Sequence, residues 1–207
     1  PKRGHPDDLP KAARDWPKLN FITYHACIQP DFFLADTLAQ VKADKLRGGV
    51  PNISWTTEYA QLVQGLPNCY AEIGTTWASS VVTFPTIAAH IMGQLMKFMG
   101  EDRIVFGSDS VWYGSPQWQI EALWRFQIPA ALREKYGYPE LTEKAKRRIL
   151  GLATSHPSIS RIRKRVPRDE LSHGSLVSFL GWAWPRKCSA GWMQATKLSA
   201  VCWMARA

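Results

Sequence analysis

Apolar positions along this chain follow two rhythms. Three short stretches are apolar at their centre, or dense in aromatic and β-branched residues: Leu19–Tyr24 (LNFITY), Asn68–Ile73 (NCYAEI) and Arg103–Gly107 (RIVFG), with the apolar run Ile104–Phe106 inside it. Short apolar runs closed by Gly suit strands covered on both faces, as in a parallel sheet. Between them, apolar residues return at helical spacing. Asp31 can cap a helix with Phe32, Phe33, Leu34, Leu38 and Val41 on its apolar side. A helix over roughly residues 56–64 stops at Gly65 and Pro67. Pro85 falls in the first turn of a longer helix, where its missing N–H costs nothing. Ile87, Ile91, Met92, Leu95, Met96 and Phe98 give that helix a broad apolar face, and Gly100 ends it. Ser115 and Pro116 predict the start of a helix bearing Ile120, Leu123, Trp124 and Phe126. Residues 129–136 predict another helical piece, and Thr142 caps a basic amphipathic helix, TEKAKRRIL, ended by Gly151. Near the start, Asp7 and Asp8 open a helical piece from Leu9 to Trp16, closed by Pro17.

The order is therefore strand, helix, strand, helix, strand, helix, which predicts parallel strands joined by right-handed crossovers. Folds of this class place their chemistry at the carboxyl ends of the strands. His25 directly follows the first strand, and Asp109 stands just past the third. Both would face one side of the sheet, which marks them as candidate site residues. The plainer alternative for Asp109 is a cap on the next turn. His5 reads as a solvated loop histidine, and His90, within the long helix, as core packing or a solvated edge. A whole TIM barrel takes about 250 residues and eight strands. Residues 1–152 hold three clear strands, so the sheet is either small and open or a piece of a barrel.

Composition narrows the class. The hydrophobic fraction of 45% is ordinary for a globular chain. No apolar run nears the ~20 residues that span a bilayer. The polar, Pro-rich start is no secretory signal, and without a Met it reads as a fragment or a processed product. A cytoplasmic chain with no membrane partner is the expectation. Cys27, Cys69, Cys188 and Cys202 lack metal or redox spacing and read as buried thiols in a reducing compartment. The net charge of +9 is uneven: residues 1–152 carry 17 Lys+Arg against 15 Asp+Glu, and residues 153–207 carry 9 against 2. A basic footprint for nucleic acid therefore belongs to the tail alone.

LNFITYH, NCYAEIG, and EDRIVFGSDS with the closing TEKAKRRILGL resemble the C-terminal part of the amidohydrolase-related, metal-dependent hydrolases. The resemblance covers about residues 1–152. It implies an α/β fold: a partial TIM (β/α) barrel of the last three or so strand–helix units, with an irregular C-terminal tail. It also implies hydrolysis, or decarboxylation, of a small carboxylate or amide-like substrate. The family's last barrel strand ends in an Asp that binds the metal or handles the proton of the attacking water, and Asp109 matches it. An earlier strand ends in a His that binds metal or acts on substrate, and His25 matches that. The implied cofactor is a divalent metal, zinc being the expected ion, which lowers the pKa of bound water to about 7. The implied partner is a small-molecule substrate, with no nucleic acid, and self-association is compatible with it. The family's His-x-His pair has no counterpart among the five histidines of this sequence, and His5 lies in a loop. The chain alone is therefore expected to be inactive. A small open α/β binding module without catalysis is the alternative.

After Leu152 the character changes. Residues 153–207 are basic and hold Trp182, Trp184, Trp192 and Trp203 without repeat or period. Three readings fit: a segment for nucleic acid or an anionic membrane surface, a disordered appendage, or an out-of-frame translation beginning near Ala153. The sequence favours the third. The domain division is thus 1–152, the barrel part, and 153–207, an aberrant or disordered basic tail.

Overall fold

The computed structural model describes residues 4–29 and 46–152, and the backbone of 203–206. The predicted helix after Asp31, Cys188, Cys202 and nearly all of the tail lie outside the described residues; of the tail expected to be irregular from residue 153, only the backbone of 203–206 is described.

A short 3-10 turn, Pro6–Asp8, leads into α1 (Leu9–Asp15), with Pro10 in its first turn. Strand β1 (Leu19–Thr23) follows. A small antiparallel hairpin, β2 (Leu46–Arg47) and β3 (Val50–Pro51), turns at Gly48 and Gly49, both with positive φ. Helix α2 (Trp55–Leu62) leads to β4 (Cys69–Glu72), then α3 (Gly74–Ser80) and α4 (Pro85–Phe98). Strand β5 (Ile104–Val105) precedes α5 (Ser110–Tyr113), α6 (Gln117–Arg125), α7 (Ala130–Tyr136) and α8 (Glu143–Arg147). Thr142 caps α8 as predicted, its Oγ1 accepting the Ala145 N–H at 3.2 Å. The helical path then widens to a π turn over Arg148–Leu152.

β1, β4 and β5 form a parallel sheet in the order β5-β4-β1, with Phe21 opposite Cys69 and Ala71 opposite Ile104. A sixth strand, β6 (Trp203–Arg206), pairs antiparallel along the other edge of β1. The predicted strands are all present but shorter: each gives way at its carboxyl end to a turn, and β5 also loses Arg103 to a 3-10 turn, Glu101–Arg103. All four residues of β4 are buried, as a two-sided cover requires. The core joins Phe21, Cys69, Ala71 and Ile104 of the strands to Tyr59 and Ala60 of α2 and to Ala88, Met92 and Leu95 of α4. His90 packs in this core and shares a 3.0 Å hydrogen bond between Nδ1 and the Tyr138 hydroxyl. Cys27 and Cys69 are buried and form no disulfide.

At the amino ends of these strands Arg103 donates to four backbone carbonyls, those of Met99, Val63, Leu66 and Phe98. That guanidinium closes the sheet's rear, beside an open depression of about 380 Å³ between Gly65, Pro67 and Met99. The carboxyl ends are left to carry the polar groups.

Candidate active site

β1 ends in a left-handed turn. His25 (φ 55, ψ 30), Ala26 (φ 47) and Cys27 (φ 59) are three consecutive non-glycine residues with positive φ. Each costs roughly 1–2 kcal/mol against the right-handed form. The one other such residue among those described is Asp109, at φ 45. Strain of this kind gathers where a turn must aim a side chain. Here it gathers at the ends of β1 and β5, and neighbouring groups hold it. Glu72 Oε2 accepts the His25 N–H at 2.9 Å, and the Thr76 hydroxyl donates to the His25 carbonyl at 2.5 Å.

The strand order dictates where the two side chains can meet. β1 and β5 are separated by β4, so their ends lie about 9–10 Å apart. His25 and Asp109 can meet only above the end of β4, and they do. His25 Nδ1 lies 3.4 Å from Asp109 Oδ2 and 3.4 Å from Glu72 Oε2, which rises from the end of β4 between them. The Thr75 hydroxyl donates to Asp109 Oδ2 and fixes that carboxylate. Asp109 makes no side-chain cap bond to its own helix, so the plain capping role is not the one its side chain plays.

The imidazole has a partner in either charge state. Protonated, Nδ1–H faces two carboxylates; neutral, Nδ1 accepts the Thr75 N–H at 3.3 Å. Burial alone would lower the pKa of His25. Its hydrogen bond to Glu72 and the charges of Glu72 and Asp109 outweigh that and raise it above the ordinary value. The neighbouring Tyr24 hydroxyl is pushed up, first by burial and then by the same two carboxylates. Three acidic or phenolic groups thus surround one imidazole, an environment that favours a cation.

A family model described as Amidohydrolase matches residues 3–153. The chain belongs to the amidohydrolase family. Comparisons with curated proteins and with solved structures found no match. Membership supports a hydrolase-family protein with a mixed α/β fold, and no helix among the described residues is long and apolar enough to cross a membrane.

Amidohydrolases commonly use metal ions. The donor set at His25 fits a divalent cation in kind, one imidazole nitrogen with carboxylate oxygens. It also fits in spacing: two ligands on one tetrahedral zinc sit about 3.3 Å apart, given metal bonds near 2.0–2.1 Å, against the 3.4 Å seen here. Glu72 is less free to ligate, because Oε1 accepts the Gly74 N–H and Oε2 the His25 N–H.

A second group, His5, Asp7 and Glu58, brings its ligand atoms within 4.8 Å of one another. It corrects the reading of His5 as a solvated loop residue. Only 4% of that side chain is exposed, because its ring stands edge-on to Trp55 and contacts Glu58 Oε2 at 3.0 Å and Asp7 Oδ2 at 2.9 Å. The Arg47 guanidinium lies 3.3 Å from Glu58 and already supplies a cation there. The cluster reads as a clamp between the N-terminal turn and α2.

His25 and Asp109 stand out in the sequence; Glu72, Thr75 and Tyr24 do not, and the structure adds them to the site. The signal that could have found Glu72 was in the strand. A carboxylate inside NCYAEIG, on a strand predicted to be covered on both faces, must be buried. A buried carboxylate needs partners.

Proposed function

We propose that this amidohydrolase site acts on a small carboxylate or amide-like substrate, by hydrolysis or decarboxylation, with a divalent cation, zinc being the expected ion, held by His25 and Asp109. The observation that carries the reading is the 3.4 Å approach of His25 Nδ1 to Asp109 Oδ2 from two non-adjacent parallel strands. A bound zinc ion supplies Lewis acidity and a water with a pKa near 7. The chain's own residues do the rest. In hydrolysis, Asp109 Oδ1, the carboxylate oxygen that neither holds the cation nor accepts the Thr75 hydroxyl, takes the proton of the attacking water and returns it to the leaving group, while Thr75 holds the carboxylate in place through Oδ2. Glu72 holds His25 in register.

The three parallel strands fit a segment of a (β/α) barrel, and catalytic zinc sites draw on three protein ligands. His25 and Asp109 provide two. On this reading the chain alone holds the cation weakly and turns over slowly or not at all. Its partner is a small molecule, not nucleic acid or a membrane, since the basic excess lies in residues 153–207. A cytoplasmic location and self-association accord with it.

The test is metal uptake and turnover by the purified chain. Excess zinc should bind saturably but be lost on gel filtration. His25→Ala and Asp109→Ala should each abolish the saturable uptake. Ester, amide and aromatic carboxylate substrates should be turned over barely, if at all. Uptake at the wild-type level in both variants would overturn the assignment.

A further inference from the structure

The carboxylate of Glu72 touches all three strand ends of the parallel sheet. From the end of β4, Oε2 accepts the N–H of His25 after β1, and Oε1 accepts the N–H of Gly74 at the start of α3. Toward β5 the fit is tighter still: a Cβ on Gly107 would fall inside the Glu72 carboxylate. A Cβ on Gly74 would come within 2.5 Å of Oε1 and 3.1 Å of the Asp109 carboxyl carbon. The residue is 2% exposed. A buried carboxylate without partners is strongly unfavourable, and so is a left-handed turn of three non-glycine residues. Here each offsets the other: the turn's first N–H satisfies the carboxylate, and the carboxylate holds the turn.

We propose that Glu72 is a positioning residue, a buried carboxylate that locks the left-handed turn presenting His25 and so sets the cation affinity of the site. The affinity half of this rests on the function proposed above; the locking half does not. Its charge matters as well as its shape, because Oε2 lies 3.4 Å from His25 Nδ1, the nitrogen that faces Asp109, and so adds negative charge beside the cation. Glu72 makes its stronger contacts to backbone N–H groups of both flanking turns, so it acts through His25 and not on substrate.

The experiment begins with the wild-type chain. Its His25 amide should exchange with solvent as slowly as the β4 amides; a fast-exchanging His25 amide overturns the proposal outright. In Glu72→Gln, which keeps the shape and one carbonyl acceptor, the His25 amide should exchange at least 10-fold faster while the β4 amides hold. Unchanged His25 exchange in that variant also overturns it. Co²⁺ titration, followed by its visible absorption bands, gives the second readout. Glu72→Gln should bind about 10- to 100-fold more weakly, in the range typical of lost outer-sphere partners, and with shifted bands. Glu72→Asp, which keeps the charge, should recover part of that affinity. Equal affinity and identical bands in Glu72→Gln and wild type would remove the affinity half. If no Co²⁺ binds the wild type while the exchange results hold, the metal-hydrolase reading fails and the locking role of Glu72 stands. Should Glu72→Gln not fold, Glu72→Asp and the wild-type exchange decide the question alone.

Discussion

His25 is a group whose charge the fold controls, and the direction is testable. Its pKa in the folded chain is raised from the ordinary 6.5, against the pull of burial, by Glu72 and Asp109. A raised folded value means that folding takes up a proton. The stabilisation is then fully present below about 6.5 and lost as pH rises through the folded value. Thermal melts of the metal-free chain in EDTA should therefore show a fall in Tm above pH 6.5 that is missing in His25→Gln. Asp109→Asn should shrink the window, since one of the two charges that raise the value is gone. A flat profile in the wild type would show that the two carboxylates do not hold the proton. At this scale the positions of His25 and Asp109 were legible in the sequence, because both follow strand ends. Their strain was not legible. Nothing in Tyr24-His25-Ala26-Cys27 announces a left-handed turn, since glycine and asparagine are the usual signals. The turn exists because Glu72 and Thr76, some fifty residues away in sequence, hold it there.

Elements were easier to read than contacts. Pro85, Thr142 and the Gly residues that close the strands are local signals, and local signals survive in the fold. Strand length was overestimated because sequence shows where apolar runs stop, not where a turn begins to aim a side chain. β5 is two residues long, where the sequence predicts Arg103–Gly107. Two substitutions measure the elements separately. Thr142→Ala removes the Oγ1 that accepts the Ala145 N–H and should cost about 1 kcal/mol in urea unfolding, the usual loss for an N-cap. Gly107→Ala should cost more, about 1–3 kcal/mol as for other overpacked sites, because β5 or the Glu72 carboxylate must shift. It should also weaken cation binding, whereas Thr142→Ala should not. If Gly107→Ala is as mild as the cap variant, the close contact with Glu72 is not a constraint. Trp112 offers the contrasting case: it follows Asp109 by three residues but is 78% exposed, so Trp112→Ser should move stability by no more than about 0.5 kcal/mol.

The whole molecule raises the question of what a small parallel sheet does with its edges. A strand edge with open N–H and C=O groups is a template for another chain, and a closed barrel has none. This chain answers differently on its two sides. Beyond β5, the π turn covers the edge, the Phe106 N–H bonding the Ile149 carbonyl at 3.0 Å. Beyond β1, β6 lies antiparallel, with Leu19 opposite Arg206 and Ile22 opposite Trp203. An antiparallel neighbour is not what a (β/α) barrel would put there, since its strands all run parallel. β6 is thus a cover for an edge that a barrel would pair otherwise, and it was not legible because its partner lies some 180 residues earlier in the chain. Removing residues 203–207 should bare the β1 edge while leaving α1, α4 and the Glu72 contacts intact. The shortened chain should then show a concentration-dependent rise in mass by light scattering, and circular dichroism should show added strand signal as it associates. The full chain at the same concentrations should not. Equal masses for the two chains would mean that β6 shields nothing, and that the edge of β1 is closed by other means.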